Sequence, residues 1–204
     1  MTDYVNRWSS DPDRSLRQAR ELAERAVALD PSEPEAHFAL GATAMWLRRH
    51  DETIAEAERA VVLDHNLAAG HLLLGLGFHY AGRSAEAFEP LERAMRLDPH
   101  HPGAALYFVA QAHFALGNYD QAVVRLKERL VHSPTSDVTH VLLAACYGHL
   151  GRIEEAHAAW RAALRANPEY SFDHRRKILR SGTVSWQTNL EGRSIVSRLA
   201  RWNA

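Results

Sequence analysis

Several things are scarce in this chain of 204 residues. There is one cysteine, Cys146, so an internal disulfide framework is excluded and a reducing cytoplasm is expected. Glycine (11) and proline (8) are too few for collagenous or low-complexity chains. Neither charge dominates: Lys+Arg is 24 against Asp+Glu 25, a formal net charge of -1, which gives no reason to expect nucleic-acid or membrane binding. Lysine is nearly absent, at Lys127 and Lys177, and arginine supplies the other fixed cations. No leader-like apolar stretch opens the chain. The longest run without Asp, Glu, Lys or Arg, residues 99–119, is broken by two prolines and polar side chains, and its apolar centre is too short to cross a bilayer. A buried helix is expected there.

What is abundant is repetition. LDPSEP, LDHNL, LDPHHP, HSPTS and ANPEY are one punctuation mark whose key position holds Pro31, His65, Pro99, Pro134 and Pro168. The spacings are 34, 34, 35 and 34 residues, and a fixed period of that size signals a stacked repeat. The extra residue falls in the 99–103 turn, where an insertion is cheap. Each unit divides into two halves with helical rather than alternating apolar spacing: Phe38 and Met45, then Ile54, Ala57 and Val61. Gly82, Gly117 and Gly151 mark the midpoint turns, with Arg48 in the remaining one; a helix end favours glycine there. Small residues recur where two helices must approach closely: Gly41, Gly75, Ala110 and Ala144 in the first helices, Ala19, Thr53, Ala87, Ala122 and Ala156 in the second. Ala26, Ala60, Ala94 and Ala163 form another column, in which Arg129 is the exception and predicts loose packing of that unit. Pro90 falls inside a second helix, where a lost hydrogen bond and ring clash cost about 3 kcal/mol unless the helix bends.

The fold class expected is all-α: helical hairpins stacked in a right-handed superhelix with one concave face, since no unit can bury its apolar face alone. The units run 34–67, 68–101, 102–136 and 137–170. Residues 1–33 hold an N-terminal segment and a half-unit, a second-type helix without its first-type partner. Residues 171–204 are expected to form C-terminal capping helices, with Leu190, Ile195, Leu199 and Trp202 at helical spacing.

The pattern resembles the tetratricopeptide repeat (TPR) family. The family signature W-x2-L-G-x2-Y…A-x3-F…P is matched by His71-x2-Leu74-Gly75-x2-Phe78…Ala87-x3-Leu91…Pro99 and by His140-x2-Leu143-Ala144-x2-Tyr147…Ala156-x3-Trp160…Pro168. WSSDPDRSLRQARELAERAVALDP, YAGRSAEAFEPLERAMRLDPHHP and HLGRIEEAHAAWRAALRANPEYS are similar to the repeat region that follows class III adenylate cyclase domains in multidomain bacterial signalling proteins.

No catalytic constellation is found, so no enzyme activity, cofactor or metal is expected. Of 13 histidines, His37, His71, His140 and His174 share the signature's Trp position; stacking sets them one repeat apart, too far to share one metal ion. They are expected to fill space between hairpins. Cys146 lies among Leu142, Leu143 and Tyr147 and reads as a small buried hydrophobe. No phosphate loop, nucleophile elbow or dinucleotide fingerprint occurs.

The resemblance implies that ligands lie on the concave face against first-helix side chains. Carried onto this chain, those positions include Phe38, Met45, Trp46, Leu72, Leu76, His79, Tyr80, Tyr107, Gln111, Phe114, Val141 and His149. The Lys, Asn and Arg side chains with which chaperone-binding members hold a terminal carboxylate are absent: Phe38, Ala42, Leu72, Leu76, Tyr107, Gln111, Val141 and Ala145 stand there. The expected function is a cytoplasmic, non-enzymatic scaffold for an apolar peptide or helix. The alternative is a regulatory or assembly region of a cyclase-type signalling protein, whose partner is its own upstream domain or a second copy docked on the exposed half-unit.

Overall fold

The computed structural model describes residues 11–100 and 102–170. Among these, nine helices and no strand occur. They are α1 (Pro12–Leu29), α2 (Pro34–Trp46), α3 (His50–Leu63), α4 (Ala68–Tyr80), α5 (Phe88–Leu97), α6 (Gly103–Ala115), α7 (Tyr119–His132), α8 (Asp137–His149) and α9 (Ile153–Ala166). Two compact units divide between Asp98 and Pro99. In the first, α1 packs on α2, and the hairpins α2/α3 and α4/α5 pack in succession. In the second, α6/α7 is followed by α8/α9. The N-terminal segment with Tyr4, Val5 and Trp8, the expected capping helices and His174 lie outside the described residues.

Local chemistry sets the boundaries. Asp11 caps α1 by accepting the Arg14 N–H at 2.9 Å, and Pro12 follows at the first helical position, where its missing N–H costs nothing. Each midpoint turn closes with the same bond pair. At the second turn the Gly82 N–H donates to His79 O and the Arg83 N–H to Phe78 O, a Schellman motif that satisfies carbonyls the helix leaves open. This geometry demands a left-handed residue, and Gly82, Gly117 and Gly151 have φ of 81, 78 and 71°. Arg48 takes the same conformation at φ 63°, which costs a side chain about 1–2 kcal/mol. Arg49, Arg83 and Arg152 follow the turns and pair with Glu52, Glu86 and Glu155 three residues on. Arg83 and Arg152 also lie over the rings of Phe78 and Tyr147, at 4.6 and 4.7 Å.

The histidine column does more than fill space. His37, His71 and His140 each donate Nε2–H to the carbonyl six residues earlier, those of Pro31, His65 and Pro134, at 3.0–3.1 Å. Each ring thereby ties a first helix to the mark that precedes it. His37 also meets Glu56 Oε2 at 2.7 Å, bridging α2 and α3.

Close approach explains the small residues. A Cβ on Gly75 would stand 2.5 Å from Leu91 Cγ, and Leu91 is fully buried. Thr53, Ala87, Ala122 and Ala156 are fully enclosed, whereas Ala19 and Ala26 of α1 are only half-buried. The difference is the first-type helix that α1 lacks among the described residues.

Two expectations are corrected. Pro90 breaks no helix, because α5 begins only at Phe88, whereas the other hairpins' second helices begin at His50, Tyr119 and Ile153. Turn bonds, Glu86 N–H to Arg83 O and Ala87 N–H to Ser84 O, fill the gap. Pro90 therefore sits in a first turn, where no intrahelical donor is needed. Arg129 does not loosen its unit. Its Nε donates to Gly103 O and its Nη1 to Ser136 Oγ, both at 2.7 Å, and Nη1 also reaches Thr139 Oγ1. The guanidinium lies 4.9 Å from the Tyr107 ring centre, so one side chain joins α6, α7 and α8. Burial lowers its proton affinity, partly offset by Tyr107 and Asp137.

Two substitutions test this packing by urea unfolding. Gly75→Ala is expected to cost about 1–3 kcal/mol, since a buried leucine must move. Arg129→Ala, although it restores the residue of the other repeats, is expected to cost about 1–3 kcal/mol by stripping donors from Gly103 O and the paired hydroxyls. A stabilised Arg129→Ala protein would contradict the clasp.

Candidate functional site

The first-helix positions present a lining poor in charge. In the first unit these are Phe38, Met45 and Trp46 on α2 and Leu72, Leu76, His79 and Tyr80 on α4. In the second they are Tyr107, Gln111 and Phe114 on α6 and Val141 and His149 on α8. The helical period places them on one face of each helix. Seven keep partial access: Phe38, Met45, Trp46, Leu72, Tyr80, Tyr107 and His149 are half-buried. Leu76, His79, Gln111, Phe114 and Val141 are buried. Phe38 and Met45 rest on the core formed by Ala42, Ile54, Ala57, Leu73 and Leu74.

Rings gather where the hairpins turn. In the first unit, Tyr80 stacks on His50 with centroids 6.0 Å apart and planes 19° from parallel, and meets the edge of His79 at 5.3 Å. In the second, His149 stacks on Tyr119 at 4.3 Å and 9°, while Phe114 presents an edge to both, at 5.3 and 5.4 Å. Such pairs stabilise by about 0.5–1.5 kcal/mol beyond their area. His50 and Tyr119 escaped the sequence reading because they open second helices. Their signal was present in the register: His50 stands to Tyr80 as Tyr119 stands to His149.

Two polar groups stand out in this lining. His79 is 2% exposed; its Nδ1 meets Ser84 Oγ at 3.1 Å, while its Nε2 is buried with no hydrogen-bond partner. Gln111 is likewise buried, with Oε1 unpaired. Burial pushes His79 down to about 4. Burial, with Arg48 second, lowers His50. Burial raises the Cys146 thiol, so that sulfur stays protonated and unreactive. Among the described residues no three His, Cys, Asp or Glu side chains converge as a metal site, and no helix is long and apolar enough to cross a membrane.

His79 makes stability depend on pH. Its folded pKa lies below the unfolded value of 6.5, so the unfolded chain binds more protons between about pH 6.5 and 4. Stability is therefore lost as pH falls through that window, by up to about 3 kcal/mol from this residue. His79→Phe, which places here the residue found at Phe114, is expected to flatten the slope of unfolding free energy against pH. An unchanged slope would show that the ring is not dry.

Similarity to known proteins fits this arrangement. The tetratricopeptide repeat model matches residues 13–70, and the model described as anaphase-promoting complex, cyclosome, subunit 3 matches residues 85–163. A putative adenylate cyclase 3 of Rhizobium meliloti (strain 1021) is 42% identical over 52 residues, 26% of this chain and 9% of that protein. The chain thus spans under a tenth of that relative. Among solved structures, PilW, a type IV pilus biogenesis factor, superposes with a TM-score of 0.73 at 18% identity, covering 92% of each chain. YrrB, a TPR protein with an unusual peptide-binding site, superposes at 0.62 and 15% identity, covering 89% of this chain and 93% of its own. With its hairpins, signature residues and repeat-model match, the chain belongs to the tetratricopeptide repeat family.

Proposed function

We propose that this chain is a non-enzymatic, cytoplasmic protein-interaction scaffold, and that its first-helix face holds an apolar segment, as an amphipathic helix or an extended peptide. The observation that carries this reading is the lining. In the first unit Phe38, Met45, Trp46, Leu72 and Tyr80 are apolar or aromatic, half-buried and carried by two adjoining first helices, α2 and α4. Aromatic and methionine side chains are enriched at interface centres and dominate binding energy. The positions that clamp a terminal carboxylate in chaperone-binding relatives hold no basic side chain, which disfavours acidic peptide ends. That a structural neighbour is described by its peptide-binding site is consistent with this use of the fold.

A second reading has one observation in its favour, the 52-residue match to a putative adenylate cyclase. On it, the chain is a regulatory or assembly region and the segment bound is part of a cyclase-type polypeptide. The genomic reading frame around this sequence separates the two.

Titration of a leucine-rich amphipathic helical peptide, followed by calorimetry, tests the face. Trp46→Ala and Tyr80→Ala are each expected to weaken binding about tenfold, the scale of an aromatic anchor, with circular dichroism confirming folded variants. Equal affinity in both would remove this face from the account.

A further inference from the structure

We propose that the first-helix face of the first unit is covered by the chain's own residues 190–202, an internal guest that an outside segment must displace. This rests on that face being a seat for apolar segments. Within LEGRSIVSRLARW, Ile195, Leu199 and Trp202 recur at i, i+4 and i+7, the spacing of anchors by which an amphipathic helix lies in an apolar groove. On a helical projection Val196 falls beside this stripe, and Arg198 and Arg201 follow on the other flank.

Charge chooses between the two units. Residues 171–204 carry seven basic and two acidic side chains, a net charge of +5. Residues 11–98 carry 10 basic and 16 acidic side chains, a net charge of -6, whereas residues 99–170 carry six of each and are neutral. Long-range attraction therefore draws the segment to the first unit. The face it meets there matches its stripe: Phe38, Met45, Trp46, Leu72 and Tyr80, half-buried, on the adjoining helices α2 and α4. Trp46 and Tyr80 engage further groups besides the rings already named, which suits a face with an occupant from its own chain better than one open to water.

The tether allows the contact. Twenty residues take the chain from Tyr170 to Leu190, a reach of up to about 65 Å. A segment tethered in this way meets its seat at an effective concentration on the order of millimolar, so a modest affinity keeps it there. The consequence is regulation of the face by the chain itself. With the segment seated about nine-tenths of the time, the apparent affinity for an outside peptide falls about tenfold.

Photo-cross-linking in the full chain tests this, with benzoylphenylalanine in place of Val196 and a mixture of light and heavy-isotope protein to tell one chain from two. Products are expected to join position 196 to residues 34–46 or 68–80 of the same chain. Ile195→Glu combined with Leu199→Glu is expected to abolish these products and to tighten binding of the leucine-rich helical peptide about tenfold, with circular dichroism confirming the fold. Arg198→Glu combined with Arg201→Glu is expected to lower the cross-linking yield severalfold. Products confined to residues 137–166 would make the segment a cap on the last hairpin, and products only between chains would make the occupant a second copy; either overturns the proposal. Measurable but equal peptide affinity with and without the two glutamates overturns it as well. Same-chain products with no peptide binding to either protein support the internal seat and remove the outside guest, whereas tight peptide binding without same-chain products does the reverse.

Discussion

Each helix here has an apolar side that only a neighbouring helix can dry. Two amphipathic helices joined by a Schellman turn bury one face against each other and leave another unprotected. The next hairpin completes it, so stability accrues from neighbour to neighbour. This works only if backbones come close. Gly75 against Leu91, and Gly77, whose added Cβ would stand 2.9 Å from Ile54 Cγ1, show how little room remains. The enclosed alanines of the second helices follow from the same limit. On α1, for which the described residues hold no covering first-type helix, Ala19 and Ala26 of the same columns are half-buried.

Most of this architecture was legible in the residues. The marks at Pro31, His65, Pro99, Pro134 and Pro168 repeat because the turn chemistry repeats. The left-handed turn position was readable from Gly82, Gly117 and Gly151, and the register placed Arg48 with them although its residue type argued otherwise. Less legible were features made by side chains reaching across helices. An arginine in an alanine column reads as a packing fault until its donors find Gly103 O, Ser136 and Thr139. A proline in a helix reads as a break until the helix is seen to start two residues before it. Pattern gives the face a residue occupies, but not how far a long side chain extends or where a first turn begins.

The candidate site divides in the same way. Its composition, aromatic and aliphatic with few charges, came from the repeat register. Its depth did not: Leu76, Phe114 and Val141 are as buried as core residues, while Phe38, Tyr80 and Tyr107 are half-buried. The stacked pairs His50–Tyr80 and Tyr119–His149 link successive hairpins within each unit and set the positions of those rings. The desolvated His79 in the first unit is an electrostatic cost accepted inside this aromatic layer. The face of the scaffold and the packing of its hairpins are thus one set of residues, and a change at the turns is felt by both.

Native-state hydrogen exchange, read helix by helix at protein concentrations where the chain is monomeric, tests nearest-neighbour burial most directly. If neighbours supply the stability, opening free energies differ along the chain. They are lowest for α1, which among the described residues is covered on one side, and higher for α2, α3 and α4, which have helices on both sides. One common opening free energy for α1 to α4 would mean that the unit folds as an indivisible globule and would contradict the account.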